Sequence, residues 1–235
     1  MDLTPRLEAI AKSIDECDII ADIGSDHAYL PIYLIKSGQA QKAIASDINK
    51  GPAEISKSRI KLNGLEGYIE VRIGDGLKVL DKGEADIIVV AGMGGLTMRD
   101  MLSESIDIAR GAKRIILQPM RDSRTLIRWL VENDFQVING EIIKENNKFY
   151  EIIWACYKEN SYYDRNVKII NESMYYKNTP VLHEYINSKI DEYTKVLEDL
   201  KAYNTPNILK RIEECNKELE DYRKVMSWLS LNVEQ

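Results

Sequence analysis

The feature that most constrains this fold is an alternation, over residues 1–157, of short apolar β-type runs with amphipathic helical stretches. Strands that alternate with helices form βαβ units, and such units build a mainly parallel sheet. The apolar runs are rich in β-branched residues, as expected for strands that are buried on both faces. We therefore predict an α/β domain whose successive strands cover residues 19–24, 42–48, 69–76, 85–95 and 113–119.

Helices are predicted between these strands from their apolar periodicity and their end signals. Pro31 and Gly38 bracket one of them, because proline suits the first turn of a helix and glycine suits the position after its end. The predicted helices cover residues 3–15, 31–38, 51–64, 96–109 and 123–135.

After Phe135 the pattern changes from alternating strands and helices to two consecutive strand-like runs. These runs, within residues 136–159, are joined by Asn146, Asn147 and Lys148, which predicts an antiparallel hairpin. A parallel sheet that ends in an antiparallel hairpin is an unusual combination, and it therefore narrows the choice of fold.

From Asn160 onward the β-type pattern is absent, and apolar residues recur at alternating spacings of four and three, which is the seam of a coiled coil. Thr205 and Pro206 predict the start of a second long helix. We expect two antiparallel helices packed along their seams, a connecting helix over 164–177, and a domain boundary that separates 1–159 from 160–235. The seam residues are Ile186, Ile190, Tyr193, Leu197 and Leu200 in the first helix, and Ile208, Ile212, Cys215, Leu219, Tyr222, Met226 and Leu229 in the second.

Composition limits the partners and the compartment. With three cysteines, two histidines and no CxxC pair, the chain predicts neither a disulfide framework nor a metal site. There is no signal-peptide pattern and no apolar stretch near the roughly 20 residues that cross a bilayer, so we expect a cytoplasmic protein without membrane contact. A net charge of −6 argues against a chain-wide electrostatic grip on nucleic acid, although a local basic patch remains compatible with it.

Glycines and acidic residues follow the predicted strands at their C-terminal ends, where open α/β sheets bind ligands. Gly24 permits a sharp turn after the first strand. Asp26 and Tyr29 depart from the GxGxxG dinucleotide fingerprint, and a carboxylate there would repel a pyrophosphate, which disfavours NAD and FAD. Asp22 and Asp26 suit a ligand that carries a cationic amine and a sulfonium, while an ordinary turn with surface acids is an equal alternative.

Asp47 ends the second strand, where a carboxylate can accept hydrogen bonds from both ribose hydroxyls of an adenosine or can stabilise the next helix through its dipole. Asp75 lies between two glycines, where it can accept an adenine amino hydrogen or take part in a tight turn. Met93 lies among three glycines after the fourth strand. Four such loops at one sheet edge favour a ligand site over four unrelated turns.

Together these segments resemble the Rossmann-like class I methyltransferases, whose seven-stranded sheet ends in an antiparallel hairpin, and more closely the bacterial tRNA (adenine-22-N1)-methyltransferase family. Where the broader class has a glycine-rich DxGxGxG, this chain has Asp22, Gly24, Asp26 and Ala28, in agreement with the narrower family. The resemblance covers almost all of residues 1–157. The matching segments are RLEAIA (6–11), ADIGSDHAYLP (21–31), SDIN (46–49), GDGL (74–77), VVAGMGG (89–95), LQP (117–119) and NNKFYEII (146–153).

The resemblance implies S-adenosylmethionine as cofactor and methyl transfer to N1 of an adenine in tRNA, at position 22. The Asn-Pro-Pro-Tyr or Asp-Pro-Pro-Tyr motif of many enzymes that methylate exocyclic amines is absent, and AGMGG (91–95) follows the fourth strand instead. The resemblance also implies a C-terminal coiled-coil domain and places Arg6 over the cofactor. The implied cofactor contacts are Gly24, Asp26, His27, Asp47, Ile48, Asp75, Gly76, Ala91, Gly92 and Met93.

Adenine N1 has a lone pair that can attack a sulfonium methyl group without prior deprotonation, so the main task of the protein is positioning. The candidate catalytic residues are Asp26, His27 and Tyr29, beside the first glycine turn. His27 can accept a proton near neutral pH or make a structural hydrogen bond within the loop. Tyr29 can stack on the target base or pack in the core, and a paired adenine must first be extruded from its helix.

Arg121, Arg124 and Arg128 follow the fifth strand at helical offsets and are predicted to share one helix face, where they can meet RNA phosphates. Asp122 and Glu132 lie nearby, so a solvated helix face is the alternative. Because each C-terminal seam covers the other, we expect a monomer. Whether the C-terminal helices bind RNA, dimerise or only support the fold stays open.

Two other functions compete with tRNA methylation. The acidic charge favours a methyltransferase that acts on a small molecule or a protein. The second competing function is a cofactor-binding scaffold, which catalyses nothing and recruits a partner through its C-terminal helices. Methyl transfer to a tRNA transcript separates tRNA methylation from the first alternative, and cofactor binding without turnover would support the second.

Overall fold

The computed structural model describes residues 3–159, 179–203 and 205–231. The chain divides into two compact units, Met1–Tyr162 and Tyr163–Gln235. The predicted helix over 164–177 lies outside the described residues, and the predicted boundary near Asn160 falls where the description ends.

A seven-stranded sheet forms the centre of the first unit, with β1 (Cys17–Ile23), β2 (Ala40–Asp47), β3 (Ile69–Ile73), β4 (Ile87–Met93), β5 (Arg114–Pro119), β6 (Phe135–Glu145) and β7 (Lys148–Tyr157). The strand order is β3-β2-β1-β4-β5-β7-β6. The first five strands pair in parallel, whereas β7 is antiparallel to both β5 and β6. The predicted parallel sheet with an antiparallel hairpin at its end is confirmed.

The helices that connect the strands are α1 (Pro5–Lys12), α2 (Tyr29–Ser37), α3 (Lys50–Leu62), α4 (Gly95–Glu104), α5 (Ile106–Gly111) and α6 (Ser123–Glu132), and a short 3-10 helix covers Gly76–Val79. The single helix predicted over 96–109 is interrupted at Ser105. The Ser105 backbone leaves the helical region at φ −127° and ψ 40°, and its carbonyl accepts hydrogen bonds from Ile108 and Ala109. Ser105 therefore ends α4 and starts α5.

The turn of the hairpin explains why the sequence predicted it correctly. Asn146 and Asn147 have φ angles of 49° and 59°, so both lie in the left-handed region that two-residue hairpin turns require. Asparagine adopts this conformation more readily than other residues with a side chain. The register of β6 and β7 is therefore set locally, by two adjacent residues.

The core of the first unit lies on both faces of the central strands. Ile20, Val89 and Ile116, from β1, β4 and β5, have no exposed surface. The Trp154 Nε1 group of β7 donates a hydrogen bond of 2.7 Å to Ser13 Oγ at the end of α1, which fastens the first helix to the sheet.

The second unit contains α7 (Pro180–Leu200) and α8 (Pro206–Leu231). Thr205 Oγ1 accepts a hydrogen bond from the Ile208 amide at 3.4 Å, so the predicted cap of α8 is confirmed. The Tyr193 ring lies 5.8 Å from the Tyr222 ring, and Leu197 packs with Cys215 in one apolar cluster. The later residue of α7 thus contacts the earlier residue of α8, so the two helices run antiparallel.

Burial in α8 departs from the predicted seam: Ile208 and Ile212 are only partly buried, and the clearest difference lies near the C-terminal end of the helix. Val225 is buried, while the predicted seam residue Met226 is only partly buried. None of the helices in the described ranges is both long enough and apolar enough to cross a membrane.

The fully buried centre of β5 makes a testable contribution to stability. We expect Ile116→Ala to lower the free energy of unfolding by about 2–5 kcal/mol, because it leaves a cavity between close-packed strands. Ile138→Ala is the matched control: this β6 side chain is 44% exposed, so the change should cost less than about 1 kcal/mol. Urea denaturation followed by circular dichroism measures both values, and equal losses would contradict the described core.

Candidate functional site

The loop between β1 and α2 is shaped for close contact. It turns at Gly24, whose φ is 77°, and a Cβ atom there would lie 2.3 Å from the Met93 methyl group. The Gly24 and Ser25 amides donate hydrogen bonds of 2.8 and 2.7 Å to the Ser46 carbonyl, which ties the loop to β2. Ala28 then takes a left-handed φ of 53° before α2 begins. The loop is thereby held in one compact conformation.

The three predicted catalytic residues lie together in this loop, and Arg59 of α3 joins them. Asp26 Oδ2 is 3.2 Å from His27 Nε2, and the His27 and Tyr29 rings meet edge to face with 5.5 Å between centroids. The Arg59 guanidinium stacks 3.9 Å from the centre of the Tyr29 ring. Tyr29 is 37% exposed, so it is not a core residue. No sequence motif pointed to Arg59, because its contact depends on how α3 packs beside the loop.

Buried polar atoms without a protein partner collect where β1 and β2 end. His27 Nδ1 and Ser46 Oγ are buried and have no hydrogen-bond partner among the described residues, whereas the Ser25 hydroxyl pairs with the Asp22 carboxyl. A buried polar atom that is left unsatisfied costs free energy, so such a group indicates a place for a polar ligand. Burial also raises the pKa of the Asp22 carboxyl, at the end of β1, to about 6.

Asp47 occupies the end of β2, as predicted. Its Oδ1 accepts a hydrogen bond of 2.7 Å from the Asn49 amide, and its carbonyl accepts one of 3.1 Å from the Gly74 amide beyond β3. Asn49, not Asp47, is the cap residue of α3. Ile48 is 62% exposed although its side chain is apolar. The loop thus presents a carboxylate and an apolar surface next to each other.

Asp75 begins the 3-10 helix after β3, and its carboxylate is held by an ion pair. Lys78 Nζ lies 2.7 Å from Asp75 Oδ2 and 2.6 Å from Glu104 Oε2. Gly76 follows with a left-handed φ of 56°. A cavity of about 440 Å³ opens here, and it is lined by Arg72, Ile73, Gly74, Asp75, Lys78 and Val79.

The end of β4 is fixed from the side of β5. The Gly92 amide donates a hydrogen bond of 3.2 Å to Gln118 Oε1, and the Met93 carbonyl accepts one of 2.7 Å from the Met120 amide. At Gly95 a Cβ atom would lie 2.5 Å from the Asp122 carbonyl oxygen, so α4 can begin here only with glycine. The predicted segment Ala91–Met93 is therefore held to the β5 side by hydrogen bonds at Gly92 and Met93.

Arg6 also reaches this edge, beside Gln118. Its Nη1 donates a hydrogen bond of 3.2 Å to Gln118 Oε1, and its guanidinium lies 4.6 Å from the centre of the Tyr150 ring. Neither Gln118 nor Tyr150 was among the predicted site residues. The available signal for Gln118 was a long polar side chain at the end of an otherwise apolar strand.

The three predicted RNA-binding arginines do not share one helix face, and this prediction was wrong. Asp122 has a left-handed φ of 58°, and α6 begins only at Ser123, so Arg121 lies in the preceding loop. The Arg121 side chain is 80% exposed. It lies close to Gly94, since a Cβ atom added there would be 3.4 Å from Arg121 Nε. Arg124 and Arg128 are one turn apart in α6, the first partly buried and the second exposed.

Across the described ranges, no group of three or more histidine, cysteine, aspartate or glutamate side chains is arranged to hold a metal ion. The described loops instead offer carboxylates, backbone amides and unsatisfied hydroxyl and imidazole atoms. This is the chemistry of a site for a polar organic ligand with positive charge.

Sequence comparison agrees with this geometry. A family model described as a methyltransferase domain matches residues 3–153. The tRNA (adenine(22)-N(1))-methyltransferase of Bacillus subtilis (strain 168) is 41% identical over 153 residues, which are 65% of this chain. The chain spans 64% of the length of that curated relative in this alignment.

Solved structures extend the likeness to nearly the whole chain. The B. subtilis M1A22 tRNA methyltransferase TrmK is 31% identical, with a TM-score of 0.85 over 96% of this chain and 99% of that one. The M. capricolum TrmK, solved with S-adenosyl-homocysteine, is 27% identical, with a TM-score of 0.80 over 96% of this chain and 98% of that one. The resemblance drawn from the sequence is thus confirmed, and the chain belongs to the methyltransferase domain family and, within it, to the family of the B. subtilis TrmK.

Proposed function

We propose that this protein transfers a methyl group from S-adenosylmethionine to N1 of an adenine in tRNA, at position 22, and that it acts in the cytoplasm, where its substrate is. The observation that carries the proposal is the likeness to the B. subtilis M1A22 tRNA methyltransferase over 96% of this chain. The loops at the C-terminal edge of the sheet add a physical reason, because they combine acidic side chains with buried polar atoms that lack partners.

The residues at this edge suit S-adenosylmethionine. Asp22 and Asp26 match its cationic amine and sulfonium, and Asp47 matches its ribose hydroxyls. Asp75 can accept the adenine amino hydrogen, and the exposed Ile48 side chain offers an apolar surface for the adenine ring. When bound, this cofactor supplies an electrophilic methyl group. The proposed contacts are Gly24, Asp26, His27, Asp47, Ile48, Asp75, Gly76, Ala91, Gly92 and Met93.

The side chains of the β1–α2 loop support the transfer mainly by positioning. Asp26 orients the His27 imidazole across 3.2 Å, so that His27 can take the proton that a 1-methylated adenine sheds. Arg59 covers one face of the Tyr29 ring, which leaves the opposite face of this partly exposed ring to stack on the target base. The hydrogen-bonded Gly92–Met93 segment then borders the space where the base must lie.

Binding of tRNA requires cations away from the acidic loops. We assign this role to Arg121, Arg124 and Arg128, which lie at or just after the loop that packs on Gly94 and Gly95. We further propose that α7 and α8 are a coiled-coil hairpin in a second domain, residues 160–235, beside a catalytic domain of residues 1–159. Because the apolar residues of each helix face the other helix, they are covered within one chain, and we propose a monomer.

Methyl transfer tests the function directly. Incubation with radiolabelled S-adenosylmethionine and unmodified tRNA that carries A22, followed by nucleoside analysis, should yield labelled 1-methyladenosine. Substitution of A22 by guanosine in the tRNA should abolish the label. A protein that binds the cofactor but labels no RNA would overturn the proposal.

Asp47 gives a second, more local test of the cofactor site. We expect Asp47→Asn to weaken S-adenosylmethionine binding at least about tenfold, because the charged acceptor of two ribose hydroxyls is lost. Titration calorimetry measures the dissociation constant. The matched control is Asp107→Asn, an exposed acid of α5, which should leave affinity unchanged. Equal affinity of both variants would remove Asp47 from the site.

Asp22 predicts a pH-dependent conflict between stability and binding. Burial raises the pKa of Asp22 from 3.8 to about 6 in the folded protein, so the unfolded chain loses this proton first. Stability contributed by the protonated carboxyl is therefore present below pH 4 and is lost as pH rises to 6. We expect Asp22→Asn to raise the free energy of unfolding at pH 7.5 by about 1–3 kcal/mol, so that the variant unfolds at a higher urea concentration than the wild type. At pH 4 the two proteins should differ little.

The same substitution should weaken cofactor binding at pH 7.5, because the ionised carboxylate faces a cationic ligand. Wild-type affinity should fall as pH drops through 6, while that of Asp22→Asn should stay nearly constant. Paired urea and calorimetry titrations at pH 5, 6 and 7.5 measure both trends. A variant that is less stable than the wild type at pH 7.5 would contradict the assignment.

A further inference from the structure

Gln118 is a buried polar residue that has no role in the methyl-transfer mechanism proposed above. It has no exposed surface, and the β5 residues before it, Ile115, Ile116 and Leu117, are apolar and equally buried. An amide that is removed from water is costly unless each of its groups is hydrogen-bonded. Its partners therefore indicate its role.

The contacts of Gln118 fix the orientation of its amide. Oε1 accepts hydrogen bonds from Arg6 Nη1 and from the Gly92 amide, both at 3.2 Å, and Nε2 donates one of 3.0 Å to the Pro119 carbonyl. Arg6 and Gly92 offer only N–H donors here, and the carbonyl is only an acceptor, so the oxygen and the nitrogen cannot be exchanged. One oxygen atom thus joins α1 to the end of β4.

The other contacts of Arg6 are less directional. Its guanidinium lies 4.6 Å from the Tyr150 ring centre, and Nη1 also lies 3.5 Å from the Met120 sulfur. The backbone amide of Arg6 donates a hydrogen bond of 3.1 Å to Glu145 Oε2. The side-chain Nε of Arg6 is 4.0 Å from the same oxygen and is buried without a hydrogen-bond partner in the described ranges. Gln118 is therefore the residue that fixes the direction of the Arg6 head group.

The sheet order places this cluster beside the proposed methyl-transfer site. β4 lies between β1 and β5, so the acidic loops after β1, β2 and β3 lie to one side of Gly92, and Gln118, Arg6 and Tyr150 lie to the other. The proposed cofactor contacts belong to the first side and to the glycine segment itself. The second side borders the same glycine segment through the hydrogen bond between Gln118 and the Gly92 amide.

We propose that Gln118 is a positioning residue: through one buried oxygen it holds the Gly92 peptide and the Arg6 guanidinium in a fixed relation, and it thereby shapes the acceptor side of the site. The inference rests on the proposed methyl transfer to tRNA. A positioning role differs from a purely structural one in its consequence: loss of this oxygen should lower kcat even where the protein stays folded.

Two substitutions of the same size class separate these roles in the full-length protein. Gln118→Glu retains an acceptor oxygen for both donors but loses the donor to the Pro119 carbonyl, so it should keep a larger share of kcat than Gln118→Leu. Gln118→Leu removes the acceptor and should lower kcat at least about tenfold, because small displacements at a reacting centre cost rate steeply. Ser13→Ala is the control: it removes the hydrogen bond from Trp154 at the other end of α1 and should lower the melting temperature without lowering kcat.

A double-mutant cycle shows whether Gln118 acts through Arg6. Arg6→Ala, Gln118→Leu and the double variant should lose turnover to a similar extent, because removal of either partner already releases the pair. Additive losses, or a Gln118→Leu variant that is as active as the wild type, would overturn the proposal while leaving the function intact. A wild-type protein that forms no 1-methyladenosine would overturn both.

The Gly92 amide supplies a readout that does not depend on turnover. Its hydrogen exchange, measured by NMR, should become at least about tenfold faster in Gln118→Leu and should be unchanged in Ser13→Ala. Unchanged exchange in Gln118→Leu would overturn the positioning role even if the activity fell.

Discussion

The parallel pairing of β1 with β2 and β4 is the constraint on which the site depends. Ile23 is level with Ser46 on one side and with Val90 on the other, and Asp47 is level with Ile73. The chain therefore leaves neighbouring strands at nearly the same height, and the loops that follow are neighbours in space although they are far apart in sequence. Each loop needs only one or two suitable residues, because the sheet brings them together.

The site is maintained at a cost to the fold. His27 and Ser46 carry buried atoms without partners in the described residues, burial raises the pKa of Asp22 to about 6, and Ala28 takes a backbone conformation that favours glycine. Each of these features destabilises the protein without a ligand. The His27 and Ser46 atoms lie beside the Asp22 carboxyl and the loop that turns at Gly24, as expected where a ligand completes the hydrogen bonding.

The sequence predicted those features that depend on local chemistry. The hairpin followed from Asn146 and Asn147, whose backbone preference is independent of the remaining fold, and the strands followed from their apolar patterns. The break at Ser105, the loop position of Arg121 and the roles of Arg59 and Gln118 were not predicted. These depend on packing between segments far apart in the chain, which periodicity does not record.

The distribution of charge reconciles an acidic protein with the proposed RNA substrate. Asp22 and Asp47 lie at the ends of β1 and β2, and Asp26 and Asp75 lie in the loops after β1 and β3, whereas Arg6 and Arg121 lie beside β5. The net charge of −6 is a sum over the whole chain and does not record this arrangement at the sheet edge. The acidic side suits a cofactor that carries positive charge, and the basic side suits phosphates, since a nucleic acid responds to the local field rather than to the sum of charges. β4 lies between the two sides, so the glycine segment at its end is the place where a donor on one side can reach an acceptor on the other.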